Sequence, residues 1–327
     1  MKIVSYSCKP YDKYALSEVF DASWTCTYLD VPLNLDSIGC AQGAEVVTAF
    51  VNDRLDAEVL TQLASGGTKL LALRCAGFNH VDLACAKSLD IAVVRVPAYS
   101  PYAVAEHTIG LMLALNRKLY RAYNRIREGN FSLNGMLGFD MHGKTVGIVG
   151  AGRIGRLVGS MLKAFGCRVL VYDPYESEVC QALGFEQVAL ESIWQAADII
   201  SLHCPLTEET KCLISERSIA QMKKGVMLIN TGRGDLISTP DVINALKSKQ
   251  IGYLGLDVYE KEGALFFEDH SDEIILDDVF VRLLTFPNVL VTGHQAYFTQ
   301  EALSHIAETT RDNVRAYQQN EPLLNSL

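Results

Sequence analysis

The stretch from Thr145 to Asp173, TVGIVGAGRIGRLVGSMLKAFGCRVLVYD, constrains the fold more than any other part of the chain. It opens with a short apolar run (Val146, Ile148, Val149) that reads as a buried strand. Gly150-Ala151-Gly152-Arg153-Ile154-Gly155 follows, with the spacing G-x-G-x-x-G. Leu157, Val158, Met161, Leu162 and Phe165 then recur at helical spacing until Gly166 stops the helix. A second apolar run, Arg168–Tyr172, ends on Asp173.

Each residue type in that order has a physical job. Gly150 allows a tight strand-to-helix turn, Gly152 lets a pyrophosphate approach backbone N–H groups, and Gly155 lets the helix pack on the strand. The helix N-terminus offers free N–H donors and a partial positive charge to the phosphates. Asp173 falls about 20 residues on, where a carboxylate accepts hydrogen bonds from ribose hydroxyls and repels a 2′-phosphate. The unit therefore reads as a dinucleotide site that takes NAD(H) rather than NADP(H). A lone glycine motif is weak, but strand, turn, helix, strand and terminal acid occur here in sequence.

With 327 residues the chain is long enough for two domains. Its net charge of −9 comes with no basic block, which argues against nucleic acid and anionic membranes as partners. The opening residues, MKIVSYSCKPYDKYAL, lack the long apolar core of a signal peptide, and no apolar run reaches the ~18 residues that span a bilayer. The 9 cysteines form no C-x-x-C pair, so reduced thiols and a cytoplasmic location are expected.

The first hundred residues alternate strand and helix, as a small parallel-sheet domain does. Strands are expected at Lys2–Tyr6, Cys26–Leu29, Glu45–Phe50, Lys69–Arg74 and Ile91–Val96, and helices at Tyr11–Phe20, Asp56–Leu63 and Val81–Ser88. Ser100-Pro101 opens one long helix that runs to about Glu128. Ile109, Leu111, Met112, Leu113 and Leu115 make its middle apolar on most sides, which points to burial in a core or against a second subunit, and a homodimer is expected. Beyond Asp173, strands are expected at Ala197–Cys204, Val226–Asn230, Ile251–Val258 and Asn288–Thr292, with helices at Ser215–Met222, Thr239–Ser248 and Glu301–Asn320. Residues 263–278 are acidic and read as irregular. The strands from Thr145 to Thr292 form one open, doubly wound sheet, and ligands of such sheets sit at the carboxyl ends of the strands. Gly150, Asp173, His203, Arg233, Asp257 and His294 all fall at such ends.

A cationic fork (Arg233), an acid (Glu262) and an imidazole (His294) at one sheet edge suit a particular reaction. When hydride passes from NADH to a carbonyl carbon, an acid must protonate the oxygen, and histidine titrates in the right range. A carboxylate beside it favours the imidazolium. Arginine holds a substrate carboxylate with two donors in fixed geometry. A zinc site from His203, Cys204 and His294 lacks any close-spaced ligand pair, so no metal is expected.

The chain resembles the D-isomer-specific 2-hydroxyacid dehydrogenases over its full length. The matching stretches are RCAGFNHVDL (74–83), VPAYSPYAVAEHTIGLMLALNR (96–117), VGIVGAGRIG (146–155), HCPLTEET (203–210), LINTGRGDLI (228–237), GLDVYEKE (255–262) and NVLVTGHQAYFT (288–299). Residues 264–281 resemble bacterial fermentative D-lactate dehydrogenases within that family. The resemblance implies an α/β fold of two doubly wound parallel-sheet domains. A Rossmann-type NAD domain, residues 100–295, is inserted into a flavodoxin-like substrate domain made of residues 1–99 and 296–327. The crossings near Tyr99 and Ala296 act as a hinge whose closure excludes water.

The resemblance also implies roles. His294 is the acid/base, Glu262 its carboxylate partner and Arg233 the anchor for the substrate carboxylate and carbonyl. Asp257 supports the His/Arg pair and the cofactor side. Backbone N–H groups of Ala76 and Gly77 bind the substrate carboxylate, and Tyr99 and Tyr297 line the pocket around a small side chain. Arg153 and Ile154 meet the pyrophosphate, Asp173 the adenosine ribose, and His203, Cys204, Pro205, Thr231 and Gly232 flank the dinucleotide. Reversible reduction of pyruvate to D-lactate is the activity expected. A dehydrogenase for a bulkier 2-keto acid is the nearest rival, and an NADH-sensing corepressor of the same fold the distant one. The two tyrosines fill space, which favours pyruvate. Corepressors carry long tails, of which this chain has almost none beyond its last helix.

Overall fold

The computed structural model describes residues 1–175 and 178–327. The chain divides into two compact units, one of Met1–Ser100 with Phe298–Leu327 and one of Pro101–Tyr297.

In the first unit the chain runs β1 (Lys2–Ser5), α1 (Pro10–Val19), β2 (Thr25–Tyr28), β3 (Val46–Ala49), α2 (Ala57–Ser65), β4 (Leu70–Leu73), α3 (Leu83–Ser88) and β5 (Ala92–Val94), and the terminal helix Gln300–Gln318 belongs to it. All strands pair in parallel in the order β2-β1-β3-β4-β5. Starting at β1, stepping to β2 and returning past β1 is the flavodoxin-like winding. Parallel strands are covered on both faces, so they read as continuous apolar runs rather than alternating ones. Val4, Val47 and Leu71 pack with α2, while Ile3, Val46 and Leu70 pack with Trp24 and Val314. Asp56 caps α2 by accepting the Val59 N–H at 3.1 Å, an interaction worth ~1 kcal/mol.

The second unit runs α4 (Pro101–Arg117), α5 (Leu119–Arg127), β6 (Thr145–Val149), α6 (Arg153–Ala164), β7 (Arg168–Tyr172), α7 (Glu178–Ala182), β8 (Glu186–Gln187), α8 (Leu190–Ala196), β9 (Ile199–Leu202), α9 (Glu216–Ile219), β10 (Val226–Asn230), α10 (Thr239–Lys247), β11 (Ile251–Leu256), α11 (Asp278–Leu284) and β12 (Val289–Val291). Its parallel sheet has the order β12-β11-β10-β9-β6-β7-β8. The winding starts at β6, goes out to β8, and returns to β9 on the other side of β6. The switch point between β6 and β9 is where a dinucleotide sits in such sheets.

One expectation changes. The long helix is two, broken at Lys118, whose backbone is left-handed at φ 52° and ψ 40°. No glycine or proline marks the break. Tertiary contacts impose it: the Asn116 amide exchanges hydrogen bonds with the Phe139 backbone at 2.6 and 2.8 Å, and the Lys118 ammonium donates to the Gly135 carbonyl at 2.7 Å. These bonds outweigh the ~1 kcal/mol that a left-handed lysine costs. The apolar middle of α4 is covered within its own unit, with Leu111, Met112 and Leu115 packed on Ile148 and Ile229. The acidic stretch carries no α-helix or strand up to Asp277, as expected, and α11, for which the sequence reading has no element, follows it. Asp277 starts that helix by accepting the Val279 and Phe280 N–H groups, both at 3.0 Å.

Candidate active site

Gly150 closes β6 at φ +95°, a conformation that L side chains rarely adopt. A Cβ there would lie 2.5 Å from the Cys204 nitrogen and 2.7 Å from the His203 carbonyl oxygen, so the turn after β6 is pressed against the turn after β9. A Cβ on Gly155 would overlap the Gly150 carbonyl. Gly152 differs: a Cβ on it meets nothing within 4 Å. Gly152 is also the N-cap of α6 and makes no side-chain cap hydrogen bond, so the N–H groups at Arg153 and Ile154 face an open approach. Asp173 is anchored beside this turn. Its carboxylate accepts the Ala151 N–H at 2.8 Å and the Tyr175 N–H at 3.1 Å. An open helix N-terminus with an acid at the next strand tip fits a dinucleotide's pyrophosphate and ribose.

His203 extends the strand ladder by donating its N–H to the Val149 carbonyl at 2.7 Å, and its Nε2 lies 2.9 Å from Ser201 Oγ. Burial pushes the imidazole pKa down to about 4, so it is neutral at physiological pH. Burial likewise pushes the Cys204 thiol up to about 11, which removes it as a nucleophile. Pro205 follows, its carbonyl accepting the Thr210 hydroxyl at 2.7 Å.

The turn after β10 is held from within by Asn230. Its amide accepts the Gly232 N–H at 3.0 Å and donates to the Arg233 carbonyl at 2.8 Å. Arg233 Nη1 donates to the Gly232 carbonyl at 2.7 Å, and Thr231 Oγ1 lies 2.9 Å from Thr108 Oγ1.

Asp257, at the end of β11, is fully buried and organises the turn after β12. Its carboxylate accepts the Gln295 N–H at 2.9 Å, the Ala296 N–H at 2.8 Å and the Thr292 hydroxyl. His107 Nε2 lies 3.4 Å away. Burial alone would raise this carboxyl's pKa, but the hydrogen bonds from His107, Thr292, Ala296 and Gln295 prevail and lower it. The Asp257 carbonyl accepts the His294 N–H at 2.7 Å. His294 Nδ1 then lies 2.7 Å from Glu262 Oε1, while Glu262 Oε2 accepts the Tyr259 N–H at 3.0 Å. With Nδ1 committed to the carboxylate, Nε2 is the nitrogen left for proton exchange. Tyr297 stands edge-on to the imidazole at 6.5 Å between ring centroids, and Phe267 lies tilted at 5.7 Å.

Within this unit the parallel sheet thus brings the turns bearing Gly150, Asp173, His203, Arg233, Asp257, Glu262 and His294 to one edge. Ala76, Gly77 and Tyr99 belong to the other unit. The loop holding Ala76 and Gly77 follows β4. There the Ala76 carbonyl accepts Arg95 Nη1 at 2.8 Å, and the Gly77 carbonyl accepts the Cys75 thiol at 3.2 Å. The Tyr99 carbonyl lies 2.8 Å from His305 Nδ1. Four polar residues of the site, His107, Thr108, Asn230 and Thr292, had no periodic or spacing signal of their own, although all lie inside quoted motifs. Among the described residues no group of three or more His, Cys, Asp or Glu side chains is placed to hold a metal ion, and no helix is long and apolar enough to cross a membrane.

Residues 109–296 match the family model for the NAD-binding domain of D-isomer-specific 2-hydroxyacid dehydrogenases. The chain is 51% identical over 316 residues to a 2-hydroxyacid dehydrogenase homolog of Haemophilus influenzae, covering 96% of this chain and 95% of that one. It is 50% identical over 328 residues to the D-lactate dehydrogenase of Escherichia coli, covering 100% of both. Among solved structures, the pyruvate reductase of Chlamydomonas reinhardtii superimposes with a TM-score of 0.93 at 45% identity, over 99% of this chain and 98% of that one. With that family model matching more than half of the chain and relatives of about 50% identity covering nearly all of it, the chain belongs to the D-isomer-specific 2-hydroxyacid dehydrogenases.

Proposed function

We propose that the protein is an NAD-dependent D-lactate dehydrogenase that interconverts pyruvate and D-lactate. The observation that carries this reading is the 2.7 Å contact of His294 Nδ1 with Glu262, on the same sheet edge as Arg233 and the glycine turn. It is supported by end-to-end identity of 50% with the Escherichia coli D-lactate dehydrogenase.

A dinucleotide held at the α6 turn would supply the hydride for the carbonyl carbon of pyruvate. His294 gives the proton at Nε2 to the carbonyl oxygen, and Glu262 holds the ring orientation and stabilises the imidazolium through Nδ1. Arg233 pairs with the substrate carboxylate. One pyruvate, one NADH and one proton give one lactate and one NAD, so His294 is reprotonated from solvent each turnover. The α6 N-terminus and the Gly152 backbone hold the pyrophosphate, and Asp173 holds the ribose. Ala76 and Gly77 are assigned to the substrate carboxylate, and Tyr99 and Tyr297 to the side-chain pocket, on the family resemblance. A chiral assay of the lactate formed from pyruvate and NADH tests the whole reading. D-lactate is expected; L-lactate, or kcat/KM that strongly favours a branched or aromatic keto acid, defeats it.

A homodimer is part of the same reading. It is supported by exposed apolar side chains on α5 and the link beyond it: Tyr123, Ile126, Phe131, Leu133 and Leu137. Several of them line a groove of about 470 Å³, and contiguous apolar surface of this kind marks interaction sites. Sedimentation of the wild type and of Leu133→Asp tests it: a dimer that the substitution weakens is expected, and a monomeric wild type removes the proposal.

A further inference from the structure

The reaction above leaves two consecutive polar residues of α4 without a task. Thr108 is fully buried, and the His107 side chain is 20% exposed. Both sit on a helix whose buried residues are mostly apolar, where alanine or leucine is the better helix former. Each reaches a different turn of the site. Thr292 donates its hydroxyl to Asp257, so the 3.0 Å contact between His107 Nε2 and Thr292 Oγ1 requires the imidazole to donate from Nε2. Thr108 donates to the Val104 carbonyl at 2.7 Å, so in the 2.9 Å contact with Thr231 it is Thr231 that donates. One bond further on, Asp257 holds the backbone of Gln295 and Ala296 beside His294. On the other branch, Thr231 leads directly into Gly232 and Arg233. Adjacent helical residues point about 100° apart, and α4 lies across β10, β11 and β12. His107 and Thr108 therefore diverge toward the turns after β12 and β10, on either side of β11.

We propose that His107 and Thr108 are positioning residues, a two-residue brace on α4 that sets the separation of the proton donor His294 from the carboxylate anchor Arg233. This rests on the pyruvate-reduction reading. Its physical basis is the steep dependence of rate on geometry, where a displacement of about 1 Å costs ~100-fold. The two arms act on different kinetic constants, because one supports proton transfer and the other substrate binding.

The test compares His107→Phe, His107→Gln and Thr108→Val with wild type, in kcat and KM for pyruvate, Kd for NADH and Tm. His107→Phe is expected to lower kcat by ~10-fold or more with Kd for NADH nearly unchanged, and His107→Gln, which keeps an N–H donor, to restore most of it. Thr108→Val, nearly isosteric, is expected to raise KM for pyruvate several-fold with kcat within about twofold. Lowered Tm with unchanged kcat and KM in the folded fraction overturns the proposal, as does loss of both constants together in both variants. Should His107→Phe fail to fold, His107→Asn, too short to reach Thr292, takes its place. A wild type that ignores pyruvate but reduces another 2-keto acid overturns the substrate assignment instead, and the brace is then read on that acid.

Discussion

His294 occupies the left-handed region at φ 52°, which is uncommon for a residue other than glycine. Strain of that kind persists where the surroundings over-determine it, and here the backbone bond to Asp257 and the Nδ1 contact with Glu262 do so. Replacing His294 by Gln should lower kcat for pyruvate reduction by about 10²–10⁴, the usual worth of general acid catalysis, with NADH binding nearly intact. Stopped-flow hydride transfer and NADH titration check it, and undiminished kcat would sink the acid/base role. Glu262→Gln replaces the anion held 2.7 Å from Nδ1 with a neutral amide, so the ring loses the partner that orients it. Hydride transfer to pyruvate should then slow about 10-fold or more with NADH binding nearly intact, as stopped-flow and NADH titration would show. Asp173→Ala should relax the preference for NADH over NADPH, because the carboxylate that repels a 2′-phosphate is gone; kcat/KM for the two coenzymes measures it. His294, Glu262 and Arg233 were legible as candidates because each follows a buried strand in a motif-dense chain. That Glu262 reaches His294 is a tertiary fact, since 32 residues separate them.

At the scale of elements, the β6–α6 unit was readable because every part of it is local: the turn, the helix face and the acid are all close in sequence. Its tolerance is correspondingly small. Gly150→Ala places a Cβ at φ +95° and against the Cys204 backbone, so the β6 and β9 turns must separate. A stability loss of roughly 1–3 kcal/mol is expected from the strained backbone, together with weaker NADH binding, measurable by denaturant melts and fluorescence titration. The break at Lys118 was not readable. Local propensity favours continuing the helix, and the bonds that stop it come from Phe139 and Gly135, which no window around Lys118 contains. The start of α11 was missed for a different reason: the acidic run before it masks the Asp277 cap that the aromatic packing of Phe280 on Tyr259, 5.0 Å between ring centroids, makes worthwhile.

At the scale of the whole molecule, acid should act through the partly buried His203 imidazole. The His203 pKa is lowered from 6.5 to about 4, so between those values the unfolded chain binds the extra proton. Stability contributed by keeping this ring neutral is complete above 6.5 and is lost as pH falls toward 4. At ~1.4 kcal/mol per pKa unit, the full loss is on the order of 3 kcal/mol. Urea melts from pH 7 to 4.5 should show that slope, and His203→Gln should flatten it. By itself the sequence determined the alternation of strand and helix, the parallel sheets that follow from two-sided apolar runs, and the dinucleotide turn. These depend on period, spacing and the special freedom of glycine, which are properties of short windows. Tertiary structure alone decided the broken helix, the buried Asp257 that ties His107 to the His294 turn, and the pairing of Glu262 with His294. Those arrangements come from hydrogen bonds between groups far apart in the chain, and such bonds exist only once the sheet has brought the groups together.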